Sequence, residues 1–480
     1  MSRSPNIPTN SLVLPGVLTA AVYLLICLFY VKGPQSHSKT SRELFAWFFC
    51  IALLFLFWKG YQRINRADKP PVRVIVVFAA LFCLLAFLTV PFHSTDVFGY
   101  INRGWQQVHY GQNPYVHHLN DIPNWRQDPM LREHWIYNPN PYGFLFTLLA
   151  RLLVRLSSGN WWVALALFKT MNVLAYAGTG WLLWAASKRV SYLRPETALY
   201  LFLWNPLILL HHIANGHNDL LVGLLVVLAA YLAITKKYFW IVPALVAATL
   251  LKFGPVLLIP PALVFVLKKS GWRTAALSCF VAIALAALIC FPYLRDWQTL
   301  RLVDMQDNAT LIDNSLHSLL IHIFENIARV FSSLAPLHSS VNSAIKMLLR
   351  GGLLVFLLYQ WLKIPKNFTA KAFASKSLLI LFVLICVASS KFNAWYMGML
   401  LPLALLLEDD YGLRRLVVLI SCTELLSLTF FKQAYMLNYF ALILVPMWLI
   451  FRQRNRPTQV AESKVERENA AAMHEEEQAV

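Results

Sequence analysis

The chain has 480 residues, of which 58% are hydrophobic and only 14% charged, with a mean hydropathy of +0.55. A soluble domain of this length could not cover itself with so few charges, so an ordinary water-soluble enzyme is excluded. The net charge of +19 would suggest a nucleic-acid partner in a soluble chain, but here the basic residues fall in short loops between apolar runs, where they report orientation across a membrane.

Apolar runs of near-spanning length recur from residue 11 to residue 451. They predict an all-α polytopic membrane protein of about 14 spans, within a range of about 12–14. In chain order the runs cover 11–31, 43–60, 72–92, 161–186, 198–214, 218–235, 238–251, 254–268, 274–293, 343–363, 377–390, 394–408, 416–431 and 435–451. The first, "SLVLPGVLTAAVYLLICLFYV", is long enough to span and lacks the small-residue cleavage site of a secretory leader. All seven cysteines lie inside apolar runs without paired or metal-type spacing, and read as small core residues. Residues 1–454 form the membrane domain. The polar, Ala/Glu-rich tail 455–480 has no apolar periodicity and reads as disordered or a short helix.

The loop 59–73, "KGYQRINRADKPPVR", carries five Lys/Arg, and "SKRVSYLR" (187–194), "TKK" (235–237), "KKSGWR" (268–273), "KIPKNFTAKAFASK" (363–376), "LRR" (413–415) and "FRQRNR" (451–456) are also basic. Placing all of them in the cytoplasm makes the spans alternate consistently and puts both termini inside. The segments at about 93–160 and 294–342 then lie outside, together with "HHIANGHND", "LKFG", "SKFNAW" and "FKQAY". The richest polar clusters share one side of the membrane.

Asp96 follows the end of an apolar span by four residues, at the membrane–water boundary. After "HST" it would also make a good helix N-cap. A helix is expected through "VFGYINRGWQQVHY", with Gly/Pro/Asn turns at 111–114 and 138–143. The run 144–156, "FLFTLLARLLVRL", sets Arg151 and Arg155 opposite an apolar face and is too short to span, which fits an interfacial helix. Lys169 and Asn172 fall inside the span 161–186; an intramembrane lysine is either functional or snorkelling.

In "HHIANGHNDL" (211–220), His211 and His212 are adjacent and His217 and Asp219 lie two apart, so their side chains diverge on a helix; no metal site is expected. Asn218 and Asp219 could cap the helix that follows, or His217, Asn218 and Asp219 could hydrogen-bond a sugar or a phosphate. Asp304, Asp307 and Asp313 are an alternative source of a base or of metal ligands. Trp105, Tyr115, Trp135, Tyr142, Trp395 and Tyr396, at outer ends, read as an interfacial belt from which one or two could stack on a sugar ring.

The ordered pieces "STDVFGYINRGW…YGQNPY" (94–115), "DPMLREHWIYNPNPYGFL" (128–145), "GHNDLLVGLLVVL" (216–228), "KFGPVLLIPP" (252–261) and "WYMGMLLPLAL" (395–405) resemble the GT-C type glycosyltransferases that use polyprenyl-phosphate sugars. The resemblance is closest to bacterial α-mannosyltransferases using polyprenyl-phosphate mannose. It implies a GT-C-like membrane fold in the plasma membrane of a cell envelope, with an acidic catalytic base in the first large outer loop, the position Asp96 occupies. Many relatives carry Pro after the Tyr-Gly of the "PYG" piece, where this chain has Phe144.

The implied chemistry needs no cofactor, because phosphate is already a usable leaving group. The donor would be a polyprenyl-phosphate sugar, the acceptor a glycan or glycolipid, and the active site would open on the outer face. A carboxylate takes the acceptor's hydroxyl proton, and direct attack inverts the anomeric centre. Charge developing on the lipid phosphate calls for cations, and Lys252, Lys391, Lys432, Arg103 and Arg301 stand near outer span ends or in outer loops. Their plainer reading is snorkelling. Tyr142, His217, Asn218, Asp219, Trp395 and Tyr396 complete the expected substrate contacts. The rival expectations are a transporter or flippase of lipid-linked saccharide and a non-catalytic assembly partner. Against a transporter, no internal repeat is evident and the charges gather at one face.

Overall fold

A computed structural model describes residues 12–33, 36–67, 70–138, 140–296, 298–299, 313–409, 411–429 and 438–454. The described residues are all-helical, without strands. Among the described residues five helices are long and apolar enough to cross a membrane: Val13–Tyr30, Lys39–Arg66, Gly254–Leu294, Ser332–Leu362 and Ala370–Ala388. The bent pair Pro195–Leu203 and Pro206–Ala214 makes a sixth if it is one span. Val72–Leu88, Asp219–Ile234, Tyr238–Leu251, Ala394–Ala404 and Phe440–Arg452 are shorter apolar helices.

Local chemistry sets the boundaries. Helix α2 (Lys39–Arg66) starts where the Ser38 side chain accepts from the Ser41 amide. It ends with Arg63 and Arg66, whose charge suits the carbonyl end of a helix, just before Pro70 and Pro71. Asn160 caps α6 (Trp161–Ser187) by accepting from the amides of Trp162 and Val163. Helices α7 (Pro195–Leu203) and α8 (Pro206–Ile208) each begin with proline, whose missing N–H costs nothing there. The chain then widens into a π turn over Leu209–Ala214. Helix α11 (Ile259–Leu294) breaks at Gly271, which adopts φ 79°, ψ 175°. Its two halves correspond to the runs 254–268 and 274–293.

Helix α9 (Asp219–Ile234) lies in the middle, against α6, α10 (Ile241–Leu251) and the helix Met397–Ala404. The last contact is backbone to backbone: a Cβ on Gly223 would meet the Gly398 carbonyl oxygen at 2.1 Å. Two small residues let these helices approach closely. On the outside, the helix His338–Leu362 presents Met347, Leu348, Val355 and Leu362 outward, each more than two-thirds exposed. Surroundings as apolar as lipid account for that face.

The helix Trp161–Ser187 is not among the helices of membrane-spanning character, and within it the Lys169 ammonium donates to the carbonyls of Phe87 and Thr89 at 2.5 and 2.7 Å. It thereby caps the C-terminal carbonyls of α3 (Val72–Leu88). The run 144–156 is helix α5 (Phe144–Leu156), packed on α4 (Asp96–Val108) through Phe146, Ala150 and Val154. Gly104 makes the fit, since a Cβ there would meet Val154 Cγ2 at 2.4 Å.

Candidate active site

Segments distant in sequence converge on one cavity of about 640 Å³. Asp96 is the first residue of α4, and Thr95, not Asp96, occupies the N-cap position. The carboxylate is therefore not spent on capping. Its Oδ1 lies 3.5 Å from His134 Nε2 and its Oδ2 lies 3.4 Å from His217 Nδ1. Only 19% of the side chain is exposed. Burial by itself would push the Asp96 carboxyl up, but the two imidazoles outweigh it and hold the group well below the usual carboxylate range. Asp96 is thus an anion at neutral pH, facing the cavity.

The stretch "NGHND" at 215–219 builds much of this arrangement. Asn215 Oδ1 accepts from the amides of Phe92, His93 and Ser94 at 2.9, 2.8 and 3.4 Å, pinning the turn that leads into Asp96. Gly216 sits at φ 79°, a conformation a side chain would strain, and its bare Cα packs on Val97. His217 touches Asp96 from behind the cavity wall and stacks flat on Trp395, with centroids 3.8 Å apart and planes at 11°. Asn218 Oδ1 accepts from the Tyr100 hydroxyl at 3.4 Å. Asp219 opens α9 without capping it, and its Oδ1 lies 2.5 Å from Lys252 Nζ. His217 and Asp219 do diverge, but each finds a cavity residue.

The opposite wall comes from the outer loops. His134 is held by Thr95, whose Oγ1 lies 2.7 Å from His134 Nδ1. It packs onto α4 where Gly99 leaves room: a Cβ there would meet His134 Cδ2 at 2.7 Å. Gly143 donates its amide to the Leu251 carbonyl at 3.1 Å, which brings the 138–143 turn to the end of α10 beside Lys252. In that turn the Tyr142 ring meets Tyr100 edge-on at 5.0 Å. Burial, and then the nearby Asp96 carboxylate, push the Tyr142 phenol well above its ordinary range, so it serves as a hydrogen-bond donor. Residues 313 and 391 form an isolated bridge: Asp313 donates to the Ser390 carbonyl and Phe392 to the Asp313 carbonyl, at 3.2 and 3.0 Å.

Among the described residues three Lys/Arg cations line the cavity, and they differ in what already occupies them. The Arg103 guanidinium is buried, lowered by that burial to about 10 and still charged. It donates to Gln106 and to the carbonyls of Trp135 and Asn138, so much of it holds the loop rather than reaching for a ligand. Lys252 pairs with Asp219 and lies 4.1 Å above the Tyr396 ring. Burial pulls its ammonium down, but Asp219 first and Tyr396 second more than compensate, so it stays charged. Lys391 lies 5.4 Å over the Trp135 ring, and no carboxylate pairs with it among the described residues.

The expected substrate residues Arg103, Tyr142, Asn218, Asp219, Lys252, Lys391, Trp395 and Tyr396 therefore line one cavity with Asp96, and His217 stands directly behind it. Arg301, Lys432, Asp304 and Asp307 lie outside the described residues, as do 431–437 and the tail 455–480. Among the described residues no three His, Cys, Asp or Glu side chains converge as metal ligands would. Sequence reasoning missed Asn215, His134 and the buried Glu424, which also lines the cavity. Asn215 had a signal, its place in the polar run.

The fold is that of an all-helical protein with membrane-length apolar helices and one polar cavity. Residues 16–268, more than half of the chain, match the family described as alpha-(1->6)-mannopyranosyltransferase, N-terminal domain, and the protein belongs to that family. It is similar to alpha-(1->6)-mannopyranosyltransferase A of Mycobacterium tuberculosis, with 27% identity over 36% of this chain and 34% of the relative. It is also similar to alpha-(1->6)-mannopyranosyltransferase A of Corynebacterium glutamicum, with 26% identity over 35% of this chain and 34% of the relative. The aligned stretch thus spans about a third of each relative's length.

Proposed function

We propose that the chain transfers a sugar, mannose by family, from a polyprenyl-phosphate donor to a hydroxyl of a glycan or glycolipid acceptor, with inversion. The observation that carries this reading is the juxtaposition in one cavity of an ionised, mostly buried carboxylate with the ammonium of Lys391. The acceptor oxygen attacks the anomeric carbon as the bond to the phosphate oxygen breaks, and that electron pair leaves with the lipid phosphate. Asp96 takes the hydroxyl proton. Negative charge growing on the phosphate is met by Lys391, with Lys252 contributing through its shared pairing with Asp219. Tyr142, Asn218, Trp395 and Tyr396 hold sugar, with the aromatic rings as stacking faces. Arg103, His217 and Asp219 act mainly by holding those groups in place.

In this reading the chain is a multi-pass plasma-membrane protein of about 14 spans, including the shorter apolar helices. Both termini are cytoplasmic, the cavity opens outward, and α5 lies at the outer interface. No metal or cofactor takes part. The deciding experiment offers the purified protein a panel of labelled polyprenyl-phosphate sugars with mannoside acceptors. Transfer from the mannose donor supports the proposal. Movement of intact lipid-linked saccharide across vesicles without transfer would replace it with a flippase.

A further inference from the structure

The turn Glu424–Leu428 and the start of the last helix contribute three polar side chains to the cavity: Glu424, Ser427 and Asn438. They are 2%, 7% and 2% exposed. Among the described residues, Ser427 Oγ and Asn438 Oδ1 have no hydrogen-bond partner. No cation among the described residues pairs with the Glu424 carboxyl. Neighbouring polar groups are satisfied: Thr423 Oγ1 donates to the Leu442 carbonyl at 2.7 Å and Thr429 Oγ1 to that of Leu426 at 2.6 Å. Buried polar groups are normally paired, so two left open beside a buried carboxyl group on one wall of a cavity point to a ligand that pairs them.

The chemistry narrows the ligand. Among the described residues no cation stands beside this carboxyl group, so the wall lacks the counter-charge that a lipid phosphate needs. A carboxyl, an amide and a hydroxyl together offer acceptors and donors at short spacing, which suits neighbouring hydroxyls on a sugar ring. The cavity is in the size range of small-molecule sites, with room for a sugar and a phosphate at different walls. We infer that Glu424, Ser427 and Asn438 form a hexose-binding subsite, opposite in chemical character to the lysine-lined wall. This rests on the proposed transfer reaction only for which hexose fills it, that of the donor or the terminal residue of the acceptor.

The test is a binding titration that does not depend on turnover. Full-length protein in detergent is titrated with a dimannoside and, separately, with polyprenyl-phosphate mannose, following tryptophan fluorescence, since Trp395 and Trp135 line the same cavity. Glu424→Gln keeps shape and replaces the carboxyl with an amide; Ser427→Ala is a smaller change that the fold tolerates. Each should weaken one of the two probes, by about 10–100-fold for Glu424→Gln. Loss for the dimannoside alone assigns the acceptor, and loss for the lipid-linked sugar alone assigns the donor. Mannosides lacking single hydroxyls supply a readout that a packing defect would not give: the penalty for the missing hydroxyl should vanish in the variant that lost its partner. Unchanged affinity for both probes in folded Glu424→Gln and Ser427→Ala would overturn the inference, as would a wild type that binds neither. Binding that depends on these residues in a protein that transfers nothing would leave the subsite standing and sink only the transferase reading.

Discussion

Lys252 Nζ and Asp219 Oδ1 lie 2.5 Å apart, joining the end of one short apolar helix to the start of another. The Asp219 side chain is 1% exposed and that of Lys252 26%, because the lysine also faces the cavity. Lys252→Met leaves a buried carboxylate alone. Breaking a fully buried pair costs roughly 3–5 kcal/mol, and partial exposure of the lysine places this case toward the lower end. Lys252→Met combined with Asp219→Asn should recover much of that loss. Thermal unfolding of the two singles and the double in detergent measures the coupling, and additive losses would show that the pair is not an energetic unit.

Asp96→Asn keeps the shape of the side chain but cannot accept the acceptor's proton. The transfer rate should fall by about 10²–10⁴-fold while donor binding is retained. Initial rates at saturating donor, together with a donor titration, check both halves. Near-normal turnover would remove Asp96 from the chemistry.

His134 is one of the two groups that hold the Asp96 carboxyl low. A carboxyl whose folded pKa is depressed favours the folded state above its free value, and that contribution is lost only as the pH falls toward the depressed one. The wild type should therefore keep its base ionised through mildly acidic pH. In His134→Ala, burial gains on the remaining imidazole, the carboxyl moves up, and the acid limb of kcat/KM should shift to higher pH. Superimposable profiles would contradict this.

Cysteine probes decide the orientation. Substituted into an otherwise cysteine-free protein in intact cells, a probe at Gln112 should react with an impermeant reagent and one at Gln62 should not. The opposite pattern would place the cavity on the cytoplasmic side.

Transfer should also persist after exhaustive EDTA treatment, since the leaving group is activated and the cations lining the cavity are lysine and arginine. Loss of activity restored by magnesium or manganese would reopen the case for His217 and Asp219 as ligands.

Some of this was legible in the sequence for a simple reason: a polar residue at the end of an apolar run is anomalous. Asp96, Lys252, Lys391 and the 215–219 cluster all stand at such ends, and the structure brings them together. His134 carried no such mark. It sits in a polar loop among other histidines, and its link to Asp96 runs through the gap left by Gly99 and the Thr95 hydroxyl, which only the fold brings to it. Glu424 was hidden for the opposite reason, being a single carboxylate within the apolar run 416–431. Local pattern located the edges of α9 and the break at Gly271 well. The pairing of Lys169 with the end of α3 depends on how two helices pack, which periodicity does not encode.

The stacking of His217 on Trp395 joins parts of the chain made at very different times. Translation at about 5–20 residues per second leaves the histidine without its indole for roughly 10–40 s. The family-matched stretch, residues 16–268, supplies Asp96, His134, His217 and the Lys252–Asp219 pair before Lys391, Trp395 or Glu424 exists. In the proposed reaction the nascent protein would hold its proton acceptor but only part of the seat for the sugar, since Tyr142 and Asn218 precede Trp395 and Tyr396. On that reading synthesis order leaves the base idle until the late helices close around it, and a truncated product would spend no lipid-linked donor.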